Sequence, residues 1–135
     1  MANSRGKIMQ IRVYYEDTDA GGIVYYSNYL NFCERARSDA FFSVGKLPVL
    51  ESGHFVVKKV VADYLLSAKL GDLLDIKTKL LNMGAASFSL NQTVYKDGKK
   101  LFEMQVTLAY INFEGKIQKI DATVKELILL LFDGN

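Results

Sequence analysis

The sequence holds one cysteine, one histidine and one proline in 135 residues. One Cys cannot close an intrachain disulfide, and one Cys with one His falls short of the about three or four ligands a zinc site takes. Disulfide scaffolds and Cys/His zinc proteins are thereby excluded, and a reducing, cytoplasmic compartment is expected. Long apolar runs are missing too. Residues 1–10 contain no apolar stretch for a secretory leader, and nowhere do the roughly 20 apolar residues of a membrane span follow one another. Only residues 127–132 are continuously apolar, which suits a packed or partner-facing terminal helix. A block of one-sign charge is also absent. Charged residues make up 24% of the chain with a formal net charge of +2, and the densest basic runs are Lys58-Lys59 and Lys99-Lys100, so no nucleic-acid partner is expected. With a single Pro48, no Ser/Gly linker and no internal repeat, residues 1–135 show no domain seam. Half of them are hydrophobic, enough for the core of one domain but not of two.

What is present has clear periodicity. Over residues 8–14, Ile8, Gln10 and Arg12 alternate with Met9, Ile11 and Val13, predicting a strand with one wetter face. Over residues 25–44, Tyr29, Phe32, Cys33, Ala36, Ala40, Phe41 and Val44 recur at three- and four-residue steps, predicting one long amphipathic helix. Gly45 suits its C-terminal stop. Residues 54–66, 73–82, 85–95 and 100–112 are rich in Val, Ile, Leu, Phe, Tyr and Thr and read as strands. Asp97-Gly98 marks a tight two-residue hairpin between the last two. A final helix over residues 123–132 is capped by Asp121 or Thr123. The order predicts an α+β fold, one antiparallel sheet with a single long helix on one face. The uncovered face and edges of such a sheet predict dimerisation or higher assembly.

The densest cluster of chemistry-bearing residues is 15–26, YEDTDAGGIVYY, between the first strand and the long helix. Glycines let backbone N–H groups approach a ligand, and the unsatisfied N–H groups of a helix start can hold an oxyanion or a polarised carbonyl. A carboxylate a few residues ahead can face the carbon of that carbonyl, as nucleophile or as general base on water. The same Asp and Gly residues also serve as ordinary caps and turns. Asp17, Asp19 and Gly22 imitate the start of a calcium loop, but the twelfth position is Asn28 where a Glu is needed, so no metal site is expected. The double glycine lacks the remaining residues of a nucleotide motif. His54 reads as a polar strand-end residue, Cys33 as a small core residue, and Glu34, Arg35, Arg37 and Asp39 as helix-surface charges that can pair.

Residues 12–37, RVYYEDTDAGGIVYYSNYLNFCERAR, resemble the signature of the 4-hydroxybenzoyl-CoA thioesterase family, most of all its YbgC-like branch. The likeness continues more weakly through Phe55-Val56-Val57-Lys58-Lys59 and Leu70-Gly71-Asp72. The resemblance implies a hotdog fold, a site at a dimer interface, and hydrolysis of acyl-CoA without a cofactor. It places the catalytic carboxylate on Asp19 and the carbonyl-polarising N–H on Tyr26, in the first turn of the helix. Gly22 would shape the approach, Tyr15 would line the site, and Lys58 and Lys59 would contact the substrate or the CoA phosphates. It further implies a homodimer or homotetramer and an association with the Tol-Pal envelope system. One departure stands out. Members of the branch usually carry His directly after the tyrosine aligned with Tyr25, where this chain has Tyr26. Two other readings remain at this point: a hotdog hydratase or dehydratase, which needs a placed His, and a non-enzymatic acyl-CoA or acyl-carrier binding module.

Overall fold

The computed structural model describes residues 7–133; the absence of a leader expected over residues 1–10 falls mostly on residues outside the described ones. The chain forms β1 (Lys7–Arg12), a 3-10 turn (Tyr15–Asp17), α1 (Asn28–Phe42), β2 (His54–Tyr64), β3 (Leu73–Met83), β4 (Ser87–Lys96), β5 (Lys99–Ile111) and α2 (Ala122–Phe132). The five strands make one antiparallel sheet in the order β1-β3-β4-β5-β2. One antiparallel sheet carrying one long helix is the expected α+β, hotdog arrangement.

The alternation seen in the sequence decides which side of the sheet is dry. Ile11 and Val13 on the first strand and its continuation, and Leu74, Ile76 and Thr78 on β3, are buried, while Gln10 and Arg12 are exposed. Against that face α1 lays Phe32 and Cys33, both fully buried, with Ala36 and Ala40 small enough to bring the helix close to the strands. Phe41, Phe55, Phe88 and Phe132 form a second aromatic group with ring centroids 5.3–6.3 Å apart, which seats α2 beside the C-terminal half of α1. In the hairpin, Asp97 and Gly98 both take positive φ, 50° and 80°, as a tight turn between twisted strands requires.

Two expectations are corrected. The long helix runs over Asn28–Phe42 instead of residues 25–44. At its start, the Tyr25 N–H is already bonded to the Asp17 carbonyl and Val24 bridges Thr18, so the chain arrives extended. At its end, the Lys46 and Gly45 amides bond the Phe41 and Phe42 carbonyls, closing the helix and leaving Val44 exposed beyond it. Arg37, expected on the helix surface, instead donates to Oε1 of the fully buried Gln92 at 2.9 Å. The Gln92 Nε2 donates in turn to the Cys33 carbonyl and Thr78 Oγ1, both at 2.9 Å. Burial lowers the Arg37 pKa from its ordinary value by disfavouring the charge.

The sheet ends in two edges, β1 and β2. The second runs for 11 residues, is bulged at Lys58, and leaves Val57, Val60 and Val61 exposed. An edge of that length and apolarity is a template for pairing with another chain.

Candidate active site

Two loops meet at the head of α1. Residues 13–24 and 68–72 are stitched by bonds from Val13 N–H to the Asp72 carbonyl (2.8 Å), Gly71 N–H to Val13 (2.9 Å), Val24 N–H to Ala68 (2.9 Å) and Leu70 N–H to Gly22 (3.2 Å). The Ala68 N–H also donates to the Tyr29 hydroxyl at 3.0 Å, which ties both loops to the first turn of the helix. Asp72 closes the stitch by accepting from the Lys69 N–H and pairing with Lys96, at 2.8 and 2.9 Å. Burial alone would raise the Asp72 carboxyl, but the Lys69 amide and the Lys96 ammonium outweigh it and hold the group below the usual carboxylate range.

The two aspartates of the Asp-Thr-Asp run have separate settings. Asp17 is buried; its Oδ2 accepts the Tyr14 N–H at 2.9 Å, and its carbonyl accepts from Tyr25 N–H and Asn28 Nδ2. It shapes the loop. Asp19 is exposed, and its Oδ1 accepts the Gly21 N–H at 2.8 Å, leaving Oδ2 without a partner among the described residues. A turn from the Gly22 N–H to the Asp19 carbonyl, 3.0 Å, aims this carboxylate, and Gly22 sits at φ +82°, where any other residue is strained. A side chain at Gly21 would touch Asp19 Oδ1, at 3.4 Å.

Asp19 lines a cleft of about 300 Å³ together with Tyr25, Tyr26, Tyr29, Tyr64 and Leu66. Among the described residues neither the Tyr26 nor the Ser27 N–H has an acceptor. The sequence places Tyr26 in the first helical turn; in the structure it precedes the N-cap, Ser27, because the Asn28 N–H closes a turn onto the Tyr25 carbonyl. The free amides therefore stand just ahead of the helix, still at the positive end of its dipole. Of the two residues only Tyr26 lines the cleft, and a carboxylate and an unpaired donor on one largely apolar cleft can act on a carbonyl group: the donor suits the oxygen, the carboxylate the carbon or a water beside it.

Not every candidate gathers there. Tyr15 is 81% exposed and does not line the cleft. Lys58 and Lys59 are exposed on β2, five or six residues before Tyr64, hence roughly 16–20 Å from the cleft end of that strand by the usual rise per residue. His54 stacks on Phe113 at 5.6 Å and lines a different cavity of about 320 Å³ with Arg37, Phe41 and Phe55. Burial pushes the Cys33 thiol up to about 12, so it is not a nucleophile at neutral pH. Another concavity, of about 820 Å³, lies between α2 and the segment after α1, where Asp121 is occupied in capping the Val124 N–H. Among the described residues no group of three or more His, Cys, Asp or Glu is placed to hold a metal, and no helix is long and apolar enough to cross a membrane. Sequence reasoning passed over Tyr64, because it reads as one more aromatic strand residue until the fold sets it beside Tyr26, with ring centroids 6.1 Å apart.

The family model described as the thioesterase-like superfamily matches residues 13–128. The chain is 46% identical over 87 residues to an acyl-CoA thioesterase YbgC of Helicobacter pylori, a match covering 64% of this chain and 65% of that protein. The chain thus spans just under two thirds of that relative's length. An acyl-CoA thioesterase YbgC of Haemophilus influenzae is 37% identical over 114 residues, 82% of this chain and 83% of that protein. Among solved structures, a "probable thioesterase" of Bartonella henselae superposes with a TM-score of 0.80 at 31% identity, covering 85% of this chain and 98% of its own.

Proposed function

Because this chain belongs to the thioesterase-like superfamily, we propose that it hydrolyses acyl-CoA thioesters to the free acid and CoA. The observation that carries the reading is the presence of the Asp19 carboxylate and the acceptor-free Tyr26 N–H on one cleft. In this reading the thioester carbonyl oxygen binds the Tyr26 N–H, and Asp19 attacks the carbon or activates a water upon it while the CoA thiol leaves. The arrangement needs no His, Cys or Ser, which agrees with His54 lining a different cavity and with the buried thiol of Cys33. A hydratase or dehydratase reading is disfavoured on the same ground, since its acid-base His is missing from the lining.

The exposed edge β2 supports a second copy as partner, in a homodimer or a homotetramer built from it. Lys58 and Lys59 would reach a cleft only across such a shared antiparallel edge, and their role toward substrate or CoA phosphates rests on it. The whole of residues 1–135 would then act as one thioesterase domain in the cytoplasm; no residue of this site bears on the Tol-Pal association.

A thiol-release assay over short, long and aromatic acyl-CoA substrates tests the proposal. The expected result is catalytic release of free CoA from at least one class. Tight binding of acyl-CoA with no thiol released identifies a binding module instead.

A further inference from the structure

The cleft contains phenols that the carboxylate-and-amide reading leaves unused. Tyr25, Tyr26 and Tyr64 all line it, and they are 46%, 60% and 47% exposed, so core packing does not account for them. The Tyr25 and Tyr26 rings lie 4.7 Å apart, and Tyr26 meets Tyr64 edge-on. Tyr29, the fourth phenol, is buried and already holds the Ala68 N–H. The rest of the lining offers no His, Cys, Lys or Arg, and Ser67 is the one other side-chain hydroxyl. Apart from the proton that Asp19 takes from water, the lining's own transferable protons are those of the phenols and of Ser67, and a phenol, with an ordinary pKa near 10, is a far stronger acid than an aliphatic alcohol.

We propose that the Tyr25 hydroxyl, backed by that of Tyr26, gives the proton to the departing CoA sulfur. This rests on the thioesterase reading of the same cleft. In this step Asp19 acts on water. Water bonds through oxygen to the thioester carbon as Asp19 takes one of its protons. The C–S bond breaks with its electron pair on sulfur, and sulfur takes the Tyr25 proton. The proton held by Asp19 passes to the Tyr25 phenolate, restoring both groups, and the products are one carboxylic acid and one thiol. Tyr25 is suited to stay protonated beforehand. The adjacent Tyr26 phenol first, then burial and the Asp19 carboxylate, push its pKa above the ordinary value. Neutralising Asp19 as water is split removes the last of these influences when the proton is needed. The Tyr64 shift, by contrast, comes from burial and from Tyr26, Tyr29 and Cys33, with no contribution from Asp19.

The test compares one acyl group carried on CoA with the same acyl group carried on 4-nitrothiophenol, whose thiolate leaves without a proton. Tyr25→Phe is expected to lose about 10-fold or more in kcat on the CoA ester but less than about 3-fold on the aryl ester, toward the low end of general-acid contributions. Tyr26→Phe should shift the same ratio by less. Equal losses on both esters, or no loss on either, overturn the proposal. Should Tyr25→Phe melt below the wild type, 3-fluorotyrosine at position 25 retains the hydroxyl and is expected to keep the wild-type ratio; its failure to do so also overturns the proposal. A wild-type protein inert toward both esters refutes the thioesterase reading itself, and with it this step.

Discussion

Asp19→Asn is expected to fold as the wild type does and to lose at least about 100-fold in kcat for thiol release, the usual scale for removing a general base or nucleophile. Folding should survive because the bond that orients this side chain is one it accepts, from the Gly21 N–H to Oδ1, and an amide oxygen accepts it equally well. What the substitution removes is the charge on an exposed group whose second oxygen has no partner among the described residues. Steady-state thiol release with a thermal melt as control separates the two effects. Asp17→Asn makes the contrast: its carboxylate is buried and committed to the Tyr14 N–H, so its effect on turnover should be the milder one. An Asp19→Asn protein with full turnover removes Asp19 from the chemistry.

Phe32→Ala should be the most damaging of the simple truncations to stability, at about 3–5 kcal/mol, the range for emptying a fully buried aromatic site. Phe32 has no exposed surface, meets Tyr29 edge-on at 6.1 Å, and stands where α1 begins to lie on the sheet. A loss of that size is a large part of the roughly 5–15 kcal/mol that holds an ordinary domain. It should lower the melting temperature by on the order of 10–20 °C in a domain of this length. The same packing carries Tyr29, whose hydroxyl holds the Ala68 loop against the helix start, so activity should fall before global unfolding does. A change below about 1 kcal/mol would mean that the helix is seated by other residues.

Much of this architecture was legible in the sequence, for identifiable reasons. Tyr29, Phe32, Cys33, Ala36, Ala40 and Phe41 are the periodic residues of the helix and are all buried. The Asp97-Gly98 turn and the alternation of Met9, Ile11 and Val13 with polar neighbours follow from chemistry local to a few residues. Boundaries were less legible. Tyr25 and Tyr26 fit the helical spacing, yet the Tyr25 N–H is taken by the Asp17 carbonyl, a bond no periodicity reveals. The site divides along the same line. Asp19 and Tyr26 lie in one short segment, where a sequence shows them as neighbours, whereas Tyr64 comes to the cleft from another strand. Arg37 was misplaced on the surface because its partner, Gln92, is 55 residues away and wholly buried.

A crystal structure with a stable acyl-CoA analogue, a ketone with methylene in place of the sulfur, probes the chemistry where it should occur. The carbonyl oxygen is predicted to sit about 2.7–3.1 Å from the Tyr26 nitrogen, as an oxyanion-type donor requires, with the Asp19 carboxylate facing the carbonyl carbon. A ligand whose carbonyl lies away from the head of α1, with Asp19 turned to solvent, would contradict the account.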